Sequence, residues 1–202
     1  MNETRIERER AVLLVIDMQN DFVQPGAVME VPRARERLPA MRKLIACCRE
    51  NGVPVVYTRH VLFEGFDISP IETRKHPQLR EAGLRAGTPG VEIVEALRPL
   101  PGEPVVDKHR YDAFYNTNLD TVLRNLRGPG VVNTVIICGV VTSVCCESTA
   151  RSAFMRDYEV RFVDDANAGF DDASHRATLA AIESAFGEVV STDAVVRAVS
   201  AA

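Results

Sequence analysis

Residues 11–17 read Ala-Val-Leu-Leu-Val-Ile-Asp, an unbroken apolar run that ends in a carboxylate. A strand with one solvated face alternates apolar and polar residues, whereas a parallel strand buried on both faces does not. The run therefore predicts a central strand of a parallel sheet, with Asp17 at the carboxyl end of that strand.

The rest of the chain alternates between strand-like and helix-like segments. Apolar residues recur at helical spacing over 34–50, and Asn51-Gly52 supplies a stop signal. Strands that alternate with helices predict an α/β fold, in which a parallel sheet carries helices on both faces. We predict further strands at 53–58, 104–108, 134–139, 159–164 and 188–191, helices at 119–127, 143–157, 173–186 and 193–200, and a short helical segment at 91–98.

Composition and charge limit the function classes. The 202 residues are 46% hydrophobic and 26% charged, which is ordinary for a soluble globular protein, and no repeat or linker divides 1–202 into more than one domain. The net charge of -4 and the lack of a basic tract argue against nucleic acid as a partner. No apolar run has membrane-spanning length, and residues 1–5 lack a signal-peptide pattern. We therefore expect a cytoplasmic protein with a small-molecule partner, no membrane or nucleic-acid partner, and self-association as a dimer or tetramer.

Cysteine usage points to free thiols. An odd number of cysteines cannot all pair within the chain, and none is spaced as Cys-x-x-Cys. In a reducing compartment they are expected to be free, and most of them to be buried packing residues. Redox sensing by the two adjacent pairs is the alternative. The five residues are Cys47, Cys48, Cys138, Cys145 and Cys146.

Three segments bring reactive side chains to one edge of the predicted sheet. Asp17 and Lys108 each end a strand, and the strand 134–139 leads into Cys145. Ligands of open parallel sheets bind beyond the carboxyl ends of the strands. Each residue also has a simpler interpretation: a turn cap for the aspartate, a solvated lysine, and a small buried thiol. The three together favour a catalytic group.

The position of Cys145 suggests an activated nucleophile. If Thr142 or Ser143 caps the following helix, Cys145 lies in its first turn, where unpaired N–H groups and the helix dipole favour an anion. The thiol pKa is then expected to fall from about 8.5 to roughly 3.5–7.5. The same N–H groups can receive an oxyanion. Cys146, about 100° further around the helix, is expected to face the core.

Three ordered motifs carry a family resemblance. They are Val15-Ile16-Asp17-Met18-Gln19-Asn20-Asp21-Phe22, Asp107-Lys108-His109-Arg110-Tyr111, and Gly139-Val140-Val141-Thr142-Ser143-Val144-Cys145-Cys146-Glu147-Ser148-Thr149-Ala150-Arg151. Through them the sequence resembles the isochorismatase-like cysteine hydrolases over nearly its whole length. The resemblance implies a three-layer α/β/α, Rossmann-like fold with a six-stranded parallel sheet, and no redox cofactor.

The resemblance also implies roles for single residues. Asp17, Lys108 and Cys145 correspond to a catalytic triad, and a cis peptide is implied between Val140 and Val141. That peptide would turn the Val141 N–H toward the oxyanion, beside the N–H of Cys145. In the expected acyl transfer, Cys145 attacks a carbonyl, Asp17 moves the thiol proton to the leaving amine, and Lys108 orients both groups.

Substrate contacts are expected around this triad. Phe22, Tyr111 and Phe114 are candidates for apolar walls. Arg59 is a candidate anchor for a substrate carboxylate, because arginine pairs with carboxylates in a bidentate manner, although it could equally be a surface residue. The full set of expected substrate-binding residues is Asn20, Phe22, Arg59, Tyr111, Phe114 and Thr142.

The region after the second strand separates branches of the family. Nicotinamidase-like members carry an Asp and closely spaced His residues there as metal ligands. Here residues 57–63 read Tyr-Thr-Arg-His-Val-Leu-Phe, so no metal site is expected and His60 is interpreted as a polar surface residue. True isochorismatases lack the catalytic cysteine, whereas this chain has Cys145 at that position. A vinyl-ether hydrolase of the isochorismatase type is therefore disfavoured. Residues 110–117, Arg-Tyr-Asp-Ala-Phe-Tyr-Asn-Thr, most resemble ureidoacrylate hydrolases.

The sequence therefore predicts a hydrolase that cleaves a C–N bond in a small linear amide or ureido compound, of the ureidoacrylate or N-carbamoyl type. An isochorismatase-type or nicotinamidase-type hydrolase and a non-catalytic small-molecule-binding protein of the same fold are the alternatives. A nucleotide-dependent oxidoreductase would share the fold class, but no Gly-x-Gly-x-x-Gly follows the first strand.

Overall fold

The sheet of this protein is built from six parallel strands. The computed structural model describes residues 4–201, and in this range the strands are β1 Ala11–Ile16, β2 Val55–His60, β3 Val105–Lys108, β4 Thr134–Val140, β5 Glu159–Ala168 and β6 Glu188–Val190. Their order across the sheet is β3-β2-β1-β4-β5-β6, and every neighbouring pair is parallel. The predicted α/β fold with a six-stranded parallel sheet is confirmed.

Helices cover both faces of the sheet. They are α1 Asn20–Val23, α2 Ala34–Glu50, α3 Glu72–Lys75, α4 Leu119–Arg127, α5 Glu147–Phe154, α6 Asp172–Ala185 and α7 Thr192–Ala201. Apolar residues of α2 and α7 belong to one core cluster, and those of α4, α5 and α6 belong to the other. No helix in residues 4–201 is long and apolar enough to cross a membrane.

The central position of β1 explains its unbroken apolar sequence. All six of its residues are fully buried. Side chains alternate between the faces of a strand, and Leu13 and Val15 pack into the core with α2, whereas Leu14 and Ile16 pack into the core with α5. Burying one such side chain contributes about 1.5–3 kcal/mol to folding, so a polar residue on either face would be costly.

Two strands differ from the predicted boundaries by more than one residue. β2 begins and ends two residues later than predicted, because the turn after α2 continues as far as Val53, whose N–H donates to Cys48 O. β5 runs four residues further than predicted, to Ala168. Its polar second half resembles a loop in the sequence, but buried Asn167 donates to two backbone oxygens there, those of Ile137 and Val163.

Two predicted helices are also revised. The helical segment predicted at 91–98 is replaced by two short 3₁₀ turns, Pro89–Val91 and Glu95–Leu97. The helix predicted at 143–157 begins as a π-helical turn, Thr142–Cys146, and continues as α5 only to Phe154. The first turn after β4 is therefore wider than a regular α-helical turn.

The sheet order places a crevice between β1 and β4. The chain moves from β1 to β2 on one side, and it later returns to β4 on the other side of β1. Ligand sites of open parallel sheets form at such a switch point, outside the carboxyl ends of the strands. Asp17 follows β1 directly, and the π-helical turn follows β4, so both border this crevice.

We predict that the close approach of β1 and β4 makes Gly139 irreplaceable. Gly139 has φ +133°, and an added Cβ would meet the backbone of Ile16, including Ile16 N at 2.7 Å. Gly139→Ala should lower the free energy of unfolding in urea by about 3 kcal/mol or more. Gly102→Ala, also at positive φ but with open space around it, should cost only about 1–2 kcal/mol. Equal losses would contradict this interpretation.

Candidate active site

The structure brings the three predicted catalytic side chains together. Lys108 Nζ lies 2.6 Å from Asp17 Oδ2 and 3.4 Å from Cys145 Sγ, and the side chains of Lys108 and Asp17 have no exposure to solvent. Lys108 Nζ also donates to Arg110 O at 3.0 Å. An ammonium has three N–H groups, and two of them have hydrogen-bond acceptors here, Cys145 Sγ and Arg110 O. The contact between Lys108 and Asp17 is an ion pair by distance, and Asp17 Oδ2 has no hydrogen-bond partner within residues 4–201.

The backbone conformation at Asp17 and the hydrogen bonds with Thr58 on β2 orient the Asp17 carboxylate. The Asp17 φ of +51° is uncommon for a residue with a side chain, and it turns the chain sharply at the end of β1. Thr58 on the adjacent strand donates from Oγ1 to Asp17 Oδ1 at 2.6 Å and accepts from the Asp17 N–H at 3.2 Å. One carboxylate oxygen is therefore held by a threonine and the other by a lysine.

Lys108 is held in its charged form. Burial lowers the pKa of a lysine, but the Asp17 carboxylate and the sulfur of Cys145 act in the opposite direction and outweigh burial, so the net shift of the Lys108 pKa is upward. An ammonium that stays protonated is a source of positive charge and hydrogen bonds. It is not a base for the reaction.

Cys145 differs from the predicted thiolate. Burial, the largest effect, and the Asp17 carboxylate raise its pKa, which Lys108 only partly offsets, and the pKa reaches about 12. The expected activation by a helix N-terminus is wrong, because Cys145 lies in the π-helical turn, where neither Thr142 nor Ser143 forms a side-chain cap. At neutral pH the site therefore holds a thiol beside a carboxylate.

The turn before Cys145 carries the predicted oxyanion donors. The peptide bond between Val140 and Val141 is cis. Val141 O accepts from the N–H groups of Val144 and Cys146, at 3.0 and 3.2 Å, whereas the Val141 N–H has no acceptor within residues 4–201. The Val141 N–H is thus a free donor in the turn that leads to Cys145. Its role and that of the Cys145 N–H in binding an oxyanion stay predictions.

The Thr142 side chain, which was expected to bind substrate, makes a hydrogen bond within the protein. Its hydroxyl is buried and hydrogen-bonds to His175 Nδ1 at 3.0 Å, and His175 Nε2 contacts Asp164 Oδ1 at 2.8 Å. The side chain that was expected to bind substrate instead ties the nucleophile turn to α6 and β5. Nothing in the local sequence signals this contact, because His175 lies 33 residues away along the chain.

The structure contradicts the predicted role of Arg59 as an anchor for a substrate carboxylate. The Arg59 guanidinium makes a bidentate pair with Asp107, at 2.7 and 3.0 Å, and a further contact with Glu92 at 2.9 Å. Arg59 and Asp107 are register partners in β2 and β3, so they share a face of the sheet. Alternation along the strand puts this pair opposite Lys108. Arg59 is therefore not a free anchor for a substrate carboxylate.

His60 was interpreted as a surface residue, and this interpretation is wrong. It ends β2, is only 1% exposed, and is the register partner of Lys108. One of its ring nitrogens lies within 4.8 Å of an Asp17 carboxylate oxygen and of Cys145 Sγ. The strand-end rule that selected Asp17 and Lys108 would also have selected His60, had the end of β2 been placed two residues later.

The other expected substrate contacts divide into two groups. Tyr111 is half-buried and meets the His60 ring edge-on at a centroid distance of 6.2 Å, so it borders the site. Phe114 is buried in the core cluster that also contains Cys145, and Phe22 is buried in the opposite cluster. The Asn20 amide donates to Pro89 O at 2.8 Å, where it fastens a loop.

All five cysteines are free and buried, as expected, and Cys146 packs fully inside the core.

The residues present do not suit a bound metal ion. Within residues 4–201, one group of three or more close metal-ligating side chains exists, and it consists of Asp17, His60 and Cys145. Lys108 already places a positive charge 2.6 Å from the Asp17 carboxylate and 3.4 Å from the thiol. A divalent cation would have to share both ligands with this ammonium and would be repelled by it. The cation of this cluster is the lysine itself.

Comparison with known proteins agrees with this geometry. The isochorismatase domain family profile matches residues 11–194. The chain belongs to the isochorismatase family. It is 32% identical to the ureidoacrylate amidohydrolase RutB of Methylobacterium radiotolerans in an alignment 200 positions long that covers 88% of this chain and 74% of that protein. The predicted assignment to a hydrolase of this family is confirmed.

Two solved structures superpose closely on this chain. A cysteine hydrolase from Pseudomonas syringae pv. phaseolicola 1448A has a TM-score of 0.90 and 35% identity, covering 98% of this chain and 96% of its own. The N-carbamoylsarcosine amidase from Thermoplasma acidophilum has a TM-score of 0.76 and 30% identity, covering 91% and 97%. The fold is thus shared along almost the whole chain.

We predict that alkylation of Cys145 is slow at neutral pH. Because burial and Asp17 raise the thiol pKa to about 12, the rate of iodoacetamide labelling should keep rising with pH above 9. Peptide mass spectrometry identifies the labelled cysteine, and Cys145→Ala is the control for assignment. A rate that levels off below pH 8 would show that the thiol pKa is not raised.

We predict that Asp17→Asn destabilises the fold. The change leaves the Lys108 ammonium buried without its countercharge, which should lower the free energy of unfolding by about 3–5 kcal/mol. The double variant Asp17→Asn with Lys108→Met should recover part of this loss. Glu95→Gln, which removes the same charge from the exposed pair with Arg98, should change stability by less than about 0.5 kcal/mol. Equal losses in urea melts would contradict the assignment.

Proposed function

We propose that this chain is a cysteine amidohydrolase that cleaves a C–N bond in a small amide or ureido compound through a thioester. One observation carries the proposal: the Lys108 ammonium contacts both the Asp17 carboxylate and the Cys145 thiol, and these two lie within 4.8 Å of each other. All three side chains are buried at the edge of the sheet where ligands bind. Cys145 is the nucleophile, Asp17 the general base, and Lys108 the charged group that orients both.

Attack and proton transfer occur together in this proposal. Since the resting thiol is protonated, Sγ can attack the substrate carbonyl only as Asp17 removes the S–H proton. The carbonyl oxygen gains the negative charge and receives hydrogen bonds from the N–H groups of Val141 and Cys145. Lys108 remains protonated throughout and stabilises the carboxylate and the sulfur.

Collapse of the tetrahedral intermediate completes the first half-reaction. The C–N bond breaks, the leaving nitrogen takes the proton from Asp17, and the acyl group stays on Sγ as a thioester. Asp17 then takes a proton from a water molecule as the oxygen of that water attacks the thioester carbonyl. The thiol leaves with that proton, and the enzyme returns to its starting state with one water consumed.

The substrate class is supported by two independent comparisons. The curated relative described above is named for ureidoacrylate, and one of the superposed structures is named for N-carbamoylsarcosine. Both names describe compounds with a carbonyl between two nitrogens and a nearby carboxylate. A ureido or N-carbamoyl acid is therefore the class we propose first.

Self-association as a dimer or tetramer stays a prediction, which light scattering of the purified chain would test.

We predict that Cys145→Ala abolishes turnover. Release of amine from N-carbamoyl amino acids should fall by at least about 1,000-fold, because the covalent step cannot occur. Cys146→Ala is the matched control: this neighbouring thiol is fully buried in the core, so its loss should cost stability but leave kcat within a few-fold.

Equal effects of the two substitutions would contradict the assignment of Cys145. Absence of activity in the wild type across ureido acids and simple amides would remove the amidohydrolase proposal, and binding without turnover would favour a non-catalytic member of the fold.

A further inference from the structure

One polar atom beside the triad has no partner within the protein. His60 Nε2 is fully buried, and no group within residues 4–201 hydrogen-bonds to it. Buried polar atoms are nearly always hydrogen-bonded, since leaving one unpaired costs free energy. An unpaired atom next to a reaction centre is therefore a site where a ligand atom can supply the missing bond.

The fold holds His60 firmly in this place. Gln19 is fully buried, and its amide forms two hydrogen bonds with the His60 backbone: His60 N–H donates to Oε1 at 2.7 Å, and Nε2 donates to His60 O at 3.0 Å. The Tyr111 ring packs edge-on against the imidazole. These contacts fix the backbone and the ring but leave Nε2 unpaired. A side chain held in place with one polar atom unpaired suits binding of a ligand better than a purely structural role in the core.

The imidazole is neutral. Burial lowers the pKa of His60 well below 6.5, and the nearby positive charges of Lys108 and Arg110 lower it further. A neutral imidazole has one N–H donor and one acceptor nitrogen. With the proton on Nδ1, Nε2 is the acceptor, and one ring nitrogen lies within 4.8 Å of Cys145 Sγ.

This acceptor matches the difference between a ureido group and a simple amide. A ureido carbonyl carries two nitrogens. When one leaves, the other stays on the acyl group and still bears N–H. In a simple amide the group that stays is carbon and has no N–H to donate. The two classes are alike in size and shape at this position.

We propose that His60 Nε2 accepts a hydrogen bond from the ureido nitrogen that is not cleaved, and so makes the site selective for ureido compounds over simple amides. The inference rests on the proposed amidohydrolase function and adds the residue that selects the ureido class. A site built to bond a polar hydrogen rejects the analogue that lacks it, because the protein atom is then left buried and unpaired.

The test compares N-carbamoyl-β-alanine with N-acetyl-β-alanine, which differ in one NH₂ against CH₃ and both release β-alanine. The quantity measured is the ratio of the two kcat/KM values. His60→Leu should lower this ratio by about 100-fold relative to wild type, mostly by loss of the carbamoyl substrate. His60→Gln, whose amide can again pair with the ureido nitrogen, should restore at least a tenth of the wild-type ratio.

Two readouts separate this inference from folding and from the proposed function. The alkylation rate of Cys145 should be similar in His60→Gln and His60→Leu if both fold with an intact triad. A wild type that hydrolyses the carbamoyl compound, with an unchanged ratio in His60→Leu, would overturn the inference alone. A wild type that releases β-alanine from neither compound would overturn the inference together with the ureido class.

Discussion

A lysine ammonium and an aspartate carboxylate lie 2.6 Å apart where neither side chain reaches solvent. Burying either charge alone costs several kcal/mol, so each needs the other and further hydrogen bonds. The sheet order meets this need: β1 delivers Asp17, β3 delivers Lys108, and β2 between them supplies the Thr58 hydroxyl. The pair exists only because three parallel strands end at one edge, and the position of the thiol is defined relative to it.

The same burial decides the state of the nucleophile. A helix terminus stabilises an anion by about 0.3–2 kcal/mol, whereas full burial can shift a pKa by about 3–5 units, or more than about 4 kcal/mol. Burial therefore wins, and the pKa of Cys145 rises although an ammonium lies 3.4 Å away. The site holds a protonated thiol beside a carboxylate that can act as a base, so attack by the sulfur is coupled to proton transfer.

Much of this arrangement could be predicted from the sequence, since it follows from strand ends. An apolar run buried on both faces identified β1, and Asp17, Lys108 and Cys145 follow from the rule that parallel strands share a carboxyl edge. Arg59 could not be placed correctly, because its partner Asp107 is set by the register of β2 against β3. His60 and the Thr142–His175 contact depend on a strand end and a long-range packing that local patterns do not encode. Burial, which reverses the expected pKa of Cys145, is likewise a property of the folded whole.

The central claim is that Cys145 forms a thioester while Asp17 carries the proton. Intact-protein mass spectrometry after rapid acid quench, during turnover of an N-carbamoyl amino acid, tests it most directly. The account predicts a population heavier by one acyl group, located on the peptide that contains Cys145. Turnover by the wild type that continues with no such adduct would contradict the covalent mechanism and favour direct attack by water.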